Sequence, residues 1–487
     1  MTQQNPFQAA AQLEQTGQFQ RARQMYRQLA GKHPRSGAVF AGIGRCSLAM
    51  HEYDDAERAL ASAVRVEPRN ADHRSNLAYC LLSMGKVEGA QEQAEAALVL
   101  KPAHPFALRT LAETHRMSGD AQRAYDTIAP TLKTTKHDAL MLIYFARLAA
   151  GVGRHEEAVN ILSALDNAAT LPDPVRSALH FELGGVLDKL KRYDEAWASF
   201  EIANRLDAGQ YNIAALAACV ESLISAWTPA RVASMPRAAK KSDLPIYIVG
   251  MPRSGSSLLE QVLSGCEEIA PGGERADIPL AARDLLYPEG GMHADVALLG
   301  RRIDALRPAS VERVARQVEK SLAKVAPGAQ RVTDKHLLNF LHVPVIRMLF
   351  PEAPIIHTKR DAMDTCLSCF FQNFTTGMEF TYDLATIGAY YNQYARLMRH
   401  WESLFPGAIL DLHYESLVDD LEAQARRVLE DIGLPWNDAC LRFHEKRNVV
   451  ATMSAEQVRK PIYRSSVKRW TNYEKHLGLL RAALQAE

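Results

Sequence analysis

The sequence lacks the features of a membrane-spanning or polyanion-binding protein. Its 57 Lys and Arg residues nearly balance 56 Asp and Glu residues, and a net charge of +1 leaves no strong field for nucleic acid or a membrane surface. No run of about 18 apolar residues occurs, since the longest candidate, 213–227, contains Glu221. The first 17 residues contain neither a basic segment nor an apolar core, so no signal peptide is visible. We therefore expect a cytoplasmic protein with no membrane span and no nucleic-acid partner.

Cysteines and metal-ligand clusters are also scarce. The seven cysteines are odd in number and scattered, which argues against a disulfide framework. Cys366 and Cys369 form a Cys-x-x-Cys pair, which suits redox chemistry or half of a zinc site. No second pair lies nearby, however, and this spacing within an apolar run is typical of packing. The 16 histidines are dispersed, and we interpret His336 and His342 as surface or packing residues. We expect no metal.

One position in the first half of the chain returns with a fixed period. Alanine recurs every 34 residues, with one final interval of 38, at Ala22, Ala56, Ala90, Ala124, Ala158 and Ala196. A small residue at that place lets two helices approach closely, and 34 residues is the tetratricopeptide period. The extra four residues fall at the proline-bearing stretch 171–174, where we expect a longer loop.

Other positions keep the same phase. Five residues before the first five alanines we expect a helix end with positive φ, at Gly17, His51, Gly85, Gly119 and Gly153. Twelve residues after the first three alanines we expect a proline to stop the second helix, at Pro34, Pro68 and Pro102. The first half resembles the tetratricopeptide family. This predicts an all-α solenoid of about six repeats that binds a protein or peptide on its concave surface, with packing against the following domain as the alternative role.

From about residue 244 the period disappears and short apolar runs alternate with helical patterns. The runs 246–249, 355–358 and 409–412 are predicted strands, and 257–263 and 417–432 are predicted helices. Strands alternating with helices indicate an α/β domain with a mainly parallel sheet. The fold class is therefore an α solenoid followed by a P-loop-like α/β domain. We place the repeats in 1–210, a connecting helix or linker in 211–243 and the α/β domain in 244–487.

The first strand runs into a glycine-bearing loop, Gly-Met-Pro-Arg-Ser-Gly-Ser-Ser at 250–257. Glycines permit a tight backbone with inward N–H groups, and the following helix N-terminus favours an anion. The spacing fits GxxxxG, but a nucleotide-hydrolysing P-loop continues with Lys and then Ser or Thr, and here Ser256 and Ser257 follow. Arg253, inside the loop, can bind an anion instead.

This loop resembles the 5′-phosphosulfate loop of sulfotransferases, which use 3′-phosphoadenosine 5′-phosphosulfate (PAPS). In that family an Arg at the end of a later strand and a Ser eight residues on bind the 3′-phosphate. Arg360 and Ser368 match that pattern. The resemblance implies one set of residues for the 5′-phosphosulfate, Arg253, Ser254, Gly255, Ser256 and Ser257. It implies Arg360 and Ser368 for the 3′-phosphate.

The tail is similar to that of tyrosylprotein sulfotransferases and bacterial tetratricopeptide-repeat sulfotransferases. Lys460-Pro461, with Trp470 ten residues after the lysine, resembles their C-terminal segment and implies a nucleotide contact for Lys460. The segment Tyr-Glu-Ser-Leu-Val at 414–418 resembles a family motif that puts Tyr414 near the nucleotide, although a buried tyrosine at a sheet edge fits it nearly as well.

The same resemblance supplies catalytic residues. Glu274, within Gly-Gly-Glu at 272–274, falls on the family's general base, and Asp277 is the reserve candidate. Lys335 falls on a lysine that stabilises the leaving phosphate oxygen, and Arg253 assists at the transferring group. Ala276 departs from the family, because tyrosylprotein enzymes carry Arg there, so the acceptor stays open among protein tyrosine, carbohydrate, lipid, peptide and small molecule. A P-loop kinase or nucleotide hydrolase and a non-catalytic nucleotide-binding scaffold are the alternatives.

Overall fold

The chain forms two compact units, Met1–Lys191 and Arg192–Glu487, in a computed structural model. The structure describes residues 5–134, 138–168, 170–209, 211–288, 295–374, 377–445, 462 and 464–484. The predicted domain limits at 210 and 243 stay predictions. By its contacts, the helix that starts at Tyr193 falls in the second unit.

The first unit is built from α-helices that pack against their neighbours in the chain. Its α-helices α1 to α11 are Pro6–Gln15, Phe19–Lys32, Gly37–Ala49, Tyr53–Val66, Ala71–Ser83, Val87–Leu100, Pro105–Met117, Ala121–Ile128, Ala139–Gly151, His155–Ala168 and Asp173–Lys189. A 3₁₀ turn at Ala129–Lys133 extends α8. The second helices of the first three repeats, α2, α4 and α6, end two residues before Pro34, Pro68 and Pro102, as predicted.

The periodic residues have the predicted environments. All six alanines of the 34-residue pattern have 0% exposure, so each lies where two helices meet. The predicted helix ends have positive φ, at Gly17 (74°), His51 (59°), Gly85 (74°), Gly119 (84°) and Gly153 (81°). Lys191, five residues before Ala196, takes the same conformation at 60°. These observations confirm the repeat pattern.

The prediction of a longer loop at 171–174 was wrong. The helix that follows it, α11, has 17 residues, whereas the equivalent helices α3, α5, α7 and α9 have 13 each. The four additional residues therefore lengthen a helix by about one turn, since one turn takes 3.6 residues. Proline at the first turn of a helix is compatible with this, because its missing N–H has no partner there.

The second unit contains a five-stranded parallel sheet in the order β2-β3-β1-β4-β5. The strands β1 to β5 are Pro245–Gly250, Ile269–Ala270, Arg331–Asp334, Ile355–Lys359 and Ile409–His413. Alternate residues of β1 enter two separate apolar clusters, Tyr247 and Val249 on one face and Ile246 and Ile248 on the other. The central strand is thus covered on both faces, which confirms the predicted α/β class.

The described residues of this unit also contain thirteen α-helices. Numbered α12 to α24, they are Tyr193–Asp207, Ile213–Ala226, Pro229–Ser234, Ser256–Leu263, Asp277–Leu286, Val296–Asp304, Pro308–Ala323, Val343–Leu349, Ala362–Phe370, Leu384–Leu404, Tyr414–Asp419, Leu421–Asp431 and Gly478–Leu484. The 3₁₀ helices are Leu337–His342, Glu379–Tyr382, Asp438–Glu445 and Arg469–His476. The single helix predicted over 417–432 was wrong, because Asp420 leaves the helical conformation (φ −144°) and caps α23 by accepting from Ala423 N–H.

Candidate functional site

The loop after β1 has the backbone of an anion-binding turn. A Cβ at Gly250 would lie 2.6 Å from the carbonyl oxygen of Thr358, so this position requires glycine. Arg253 (φ 69°) and Gly255 (φ 100°) both take the left-handed conformation, and α15 begins at the next residue. Gly255, rather than either of the two serines that follow, is the N-cap of α15. The loop thereby turns the chain onto a helix N-terminus, whose N–H groups attract anions.

Three serines of this loop have different environments. Ser254 is buried, its hydroxyl shares a 2.7 Å hydrogen bond with Thr358 Oγ1, and its N–H donates to the Met251 carbonyl. These bonds shape the loop. Ser256 is buried and Ser257 half-buried in the first turn of α15. Ser256 occupies the place of the lysine in a nucleotide-hydrolysing P-loop.

The two predicted phosphate-binding regions meet in the structure. Arg253 Nε donates to Ser368 Oγ at 3.0 Å, and Arg360 Nη1 donates to the carbonyl oxygen of Arg253 at 3.1 Å. The side chain of Arg360 is only 7% exposed, and its Nε has no hydrogen-bond partner among the described residues. A buried guanidinium N–H without a partner is costly in the protein alone. The arrangement therefore suits an anionic ligand.

Tyr414 fills the space between the loop and Arg360. A Cβ on Gly255 would lie 2.7 Å from Tyr414 Cδ2, so the ring packs directly on the glycine backbone. The Arg360 guanidinium lies over the same ring, 4.9 Å from its centroid. The next residue, Glu415, accepts from the backbone N–H of Asp361 at 2.9 Å. The tyrosine thus supports the arginine by a cation–π contact.

Asp364, four residues after Arg360 and in the first turn of α20, is a residue that sequence reasoning missed. Its carboxylate accepts from the backbone N–H groups of Lys468 (2.6 Å) and Trp470 (2.9 Å), while Arg360 Nη2 donates to the carbonyl oxygen of Ser466 (2.6 Å). Burial raises the pKa of Asp364, against the opposing effect of these donors and of Arg360. The i, i+4 spacing from Arg360 was the available signal. Lys460 lies outside the described residues.

The predicted base and lysine form a pair. Lys335 Nζ donates to Glu274 Oε1 at 3.0 Å, and the Lys335 backbone N–H donates to the carbonyl oxygen of Gly273 at 2.8 Å. The lysine side chain is 1% exposed, whereas that of Glu274 is 55% exposed. The Glu274 carboxylate can therefore reach a substrate while the buried ammonium of Lys335 holds its Oε1 atom. The neighbouring Arg275 points elsewhere and pairs with Asp277, the reserve base, at 2.7 Å.

The sheet order explains how these groups come together. Lys335 directly follows β3, the loop follows β1 and Arg360 follows β4, and these three strands are neighbours in the sheet. Parallel strands bring their carboxyl ends to one edge, where ligands of open α/β sheets bind.

Other chemistry-bearing residues are used for packing. Cys366 and Cys369 are fully buried, Cys369 Sγ lies 3.4 Å from the Pro252 carbonyl, and burial raises the pKa of Cys369 to about 12. His342 is buried, and this burial, with the nearby His336, lowers its pKa to about 4.

One cluster of metal-ligand type occurs among the described residues: His357, Glu402 and Asp411. Although burial raises the pKa of Asp411, hydrogen bonds from His357 and Lys359 lower it to about 2. The ammonium of Lys359, 2.9 Å from Asp411, already supplies a cation to this carboxylate.

A parallel sheet, a glycine loop that contains an arginine and a second arginine just after the neighbouring strand define a P-loop-like anion-binding α/β domain. Residues 245–438 match the sulfotransferase family, and residues 13–78 and 48–112 match the tetratricopeptide repeat. The second unit therefore contains a segment that matches the sulfotransferase family, and segments that match the tetratricopeptide repeat precede it in the chain.

Several known proteins are similar to the chain. An uncharacterized protein of Aquifex aeolicus is 34% identical over 347 residues, 68% of this chain and 44% of the relative. A putative protein-tyrosine sulfotransferase of Caenorhabditis briggsae is 24% identical over 230 residues, 46% of this chain and 80% of the relative. The solved sulfotransferase domain of the Synechococcus PCC 7002 olefin synthase is 20% identical with a TM-score of 0.38, covering 52% of this chain and 96% of that domain.

The chain spans less than half the length of its Aquifex relative. No helix among the described residues is long and apolar enough to cross a membrane.

Proposed function

We propose that this chain transfers a sulfuryl group from PAPS to a hydroxyl group of an acceptor. The convergence of Arg253, Arg360 and Ser368 is the observation that carries the proposal. It brings two guanidinium groups, one that follows β1 and one that follows β4, into a single cationic site. A nucleotide with phosphates at both the 5′ and 3′ positions matches a site with these two guanidinium groups. The sulfotransferase family match over 245–438 supports the same substrate.

The nucleotide would be held from both sides. The loop residues Arg253, Gly255, Ser256 and Ser257, with the N-terminus of α15, would bind the 5′-phosphosulfate. Arg360 and Ser368 would bind the 3′-phosphate, and Arg360 Nε, which lacks a partner in the described part of the chain, would gain an acceptor. Ser254 would contribute by shaping the loop. Tyr414 and Lys460 would contact the rest of the nucleotide.

The transfer step needs a base and electrostatic stabilisation. Glu274 would take the proton of the acceptor hydroxyl. At the same time the hydroxyl oxygen would bond to sulfur, and the bond from sulfur to the 5′-phosphate oxygen would break. The ammonium of Lys335 and the guanidinium of Arg253 would stabilise the charge that builds up on the leaving oxygen. 3′,5′-Diphosphoadenosine (PAP) is then the second product. Protein cations can supply this stabilisation without a metal.

The acceptor is a hydroxyl compound whose class stays open. At position 276, where tyrosylprotein relatives carry Arg, this chain has Ala, and Arg275 is directed toward Asp277 and Ser321. Protein tyrosine, carbohydrate and small molecules all remain candidates. The tetratricopeptide unit would recruit the acceptor or a protein partner.

Labelled PAPS tests the proposal directly. The full chain is incubated with labelled PAPS and an extract of host cells, and the fraction that gains label is identified. We expect one fraction to gain label with the wild-type chain and to stay unlabelled with the Glu274→Gln variant. A kinase or nucleotide hydrolase would instead turn over ATP in the presence of Mg²⁺. Equal labelling by both forms of the chain would contradict the role of Glu274.

A further inference from the structure

We propose that Glu260 is a positioning residue for sulfuryl transfer, an inference that rests on the proposed function. Its carboxylate joins three segments of the site: the helix that follows the phosphate loop, the loop that carries Glu274 and the strand that leads to Lys335. None of the sequence motifs described above includes it.

Glu260 lies within α15, five residues after Gly255, and its residue exposure is 8%. One carboxylate oxygen, Oε1, receives two hydrogen bonds. Thr333 Oγ1 donates to it at 2.7 Å, and the Gly273 N–H donates to it at 3.1 Å. Gly273 is the residue immediately before the proposed base. Thr333 is fully buried on β3, two residues before Lys335.

Two further hydrogen bonds complete the connection. The Gly272 N–H donates to Thr333 Oγ1 at 3.0 Å, and the Lys335 N–H donates to the Gly273 carbonyl at 2.8 Å. Gly272 can lie this close only without a side chain, because a Cβ there would be 2.0 Å from the carbonyl oxygen of Thr333. The two glycines before the base therefore lie along the end of β3, and Glu260 holds the second of them by accepting from its N–H.

The chemistry of the residue argues for a specific task. A buried acid is unfavourable unless it is hydrogen-bonded, and an apolar side chain would fill the same volume of α15 at no such penalty. The two donors that Glu260 binds belong to the segments of the base and the lysine, so the acid serves their alignment. Alignment matters because a displacement of about 1 Å can lower a rate roughly 100-fold.

The test uses the full chain and two substitutions at the residue, Glu260→Ala and Glu260→Gln. Glutamine keeps a carbonyl oxygen that accepts hydrogen bonds, so it should restore much of the function. Gln261→Ala is the matched control, because Gln261 is the next residue of α15, is equally buried and bonds the Phe443 carbonyl at 3.1 Å instead. Thr333→Val provides a second route to the same network if Glu260→Ala does not fold.

Three readouts separate positioning from loss of structure. We expect Glu260→Ala to lower label transfer from PAPS roughly 100-fold. Hydrogen exchange in peptides that span 270–276 should become faster, while calorimetric binding of PAP changes by less than about threefold. Gln261→Ala should lower the melting temperature without changing exchange at 270–276. Thr333→Val should reproduce the faster exchange.

Two results would overturn the inference: unchanged exchange at 270–276 in Glu260→Ala and Thr333→Val, or the same loss of transfer in Gln261→Ala. The exchange measurement needs no acceptor, so it decides the role of Glu260 in the loop independently. The proposed function fails separately, if the wild-type chain labels no fraction of the extract.

Discussion

Arg253 Nε and Ser368 Oγ are hydrogen-bonded at 3.0 Å although 115 positions separate them in the chain. One residue belongs to the loop after β1 and the other to the helix after β4. Because these strands are neighbours, the bond links the regions that the sequence assigns to the 5′-phosphosulfate and the 3′-phosphate. In the proposed nucleotide clamp, the two phosphate sites would therefore be neighbours.

Arg360→Ala should weaken binding of PAP roughly 10- to 100-fold, because a charge-assisted hydrogen bond contributes about 1.5–3 kcal/mol. Calorimetry on the full chain measures the dissociation constant. Arg426→Ala is a matched control, since Arg426 is a surface residue that stacks on Trp436 and pairs with Glu422. An unchanged affinity in Arg360→Ala would place the 3′-phosphate elsewhere.

Glu274→Gln should lower the rate of label transfer roughly 100- to 10,000-fold, because a general base contributes about that much. Binding of PAP should persist, since the side chain accepts a proton rather than holding the nucleotide. Glu267→Gln, at an exposed glutamate in the same region, should leave transfer unchanged. Full activity in Glu274→Gln would remove Glu274 as the base.

Asp334 should make stability depend on pH. Burial raises its pKa from 3.8 to about 7, against hydrogen bonds from His336 and Asn339 that lower it. Between those values the folded state keeps a proton that the unfolded chain has lost. Stability therefore falls as pH rises, by at most about 1.4 kcal/mol per pH unit.

Asp334→Asn removes that titration. The melting temperature of the variant minus that of the wild type should therefore increase as pH is raised from about 4 to about 7. Thermal melts at a series of pH values measure it. A difference that does not vary with pH would show that Asp334 titrates normally.

Ala90→Leu should destabilise the repeat unit by about 1–3 kcal/mol, because a larger side chain does not fit where two helices meet. Ala90 has 0% exposure. Glu92→Leu, which introduces the same side chain at an exposed position of α6, should change stability by less than about 0.5 kcal/mol. Denaturant unfolding followed by circular dichroism compares them, and equal effects would contradict the helix-pair register.

The periodic and motif-bearing parts of this chain could be predicted from the sequence because their signals are local. Ala22 and its equivalents repeat at a fixed interval, and the glycine loop is contiguous. The strands β2 and β3 were missed because they are short and, in β3, polar, at Arg331–Asp334. A four-residue strand gains its stability from neighbouring strands rather than from its own pattern.

Residues that act through tertiary contacts could not be found in this way. Glu260 occurs in an otherwise unremarkable helix, and only the fold brings it to Gly273 and Thr333. Asp364 likewise holds backbone N–H groups more than 100 positions away. The length of α11 was misjudged because proline within a repeat is compatible with both a loop and a helix start.

The most direct measurement is calorimetric binding of PAP and of ATP with Mg²⁺ to the wild-type chain. A clamp formed by Arg253, Arg360 and Ser368, with serine in place of the P-loop lysine, predicts that PAP binds more tightly and needs no metal. Magnesium-dependent binding of ATP that is tighter than binding of PAP would contradict a PAPS-dependent sulfotransferase.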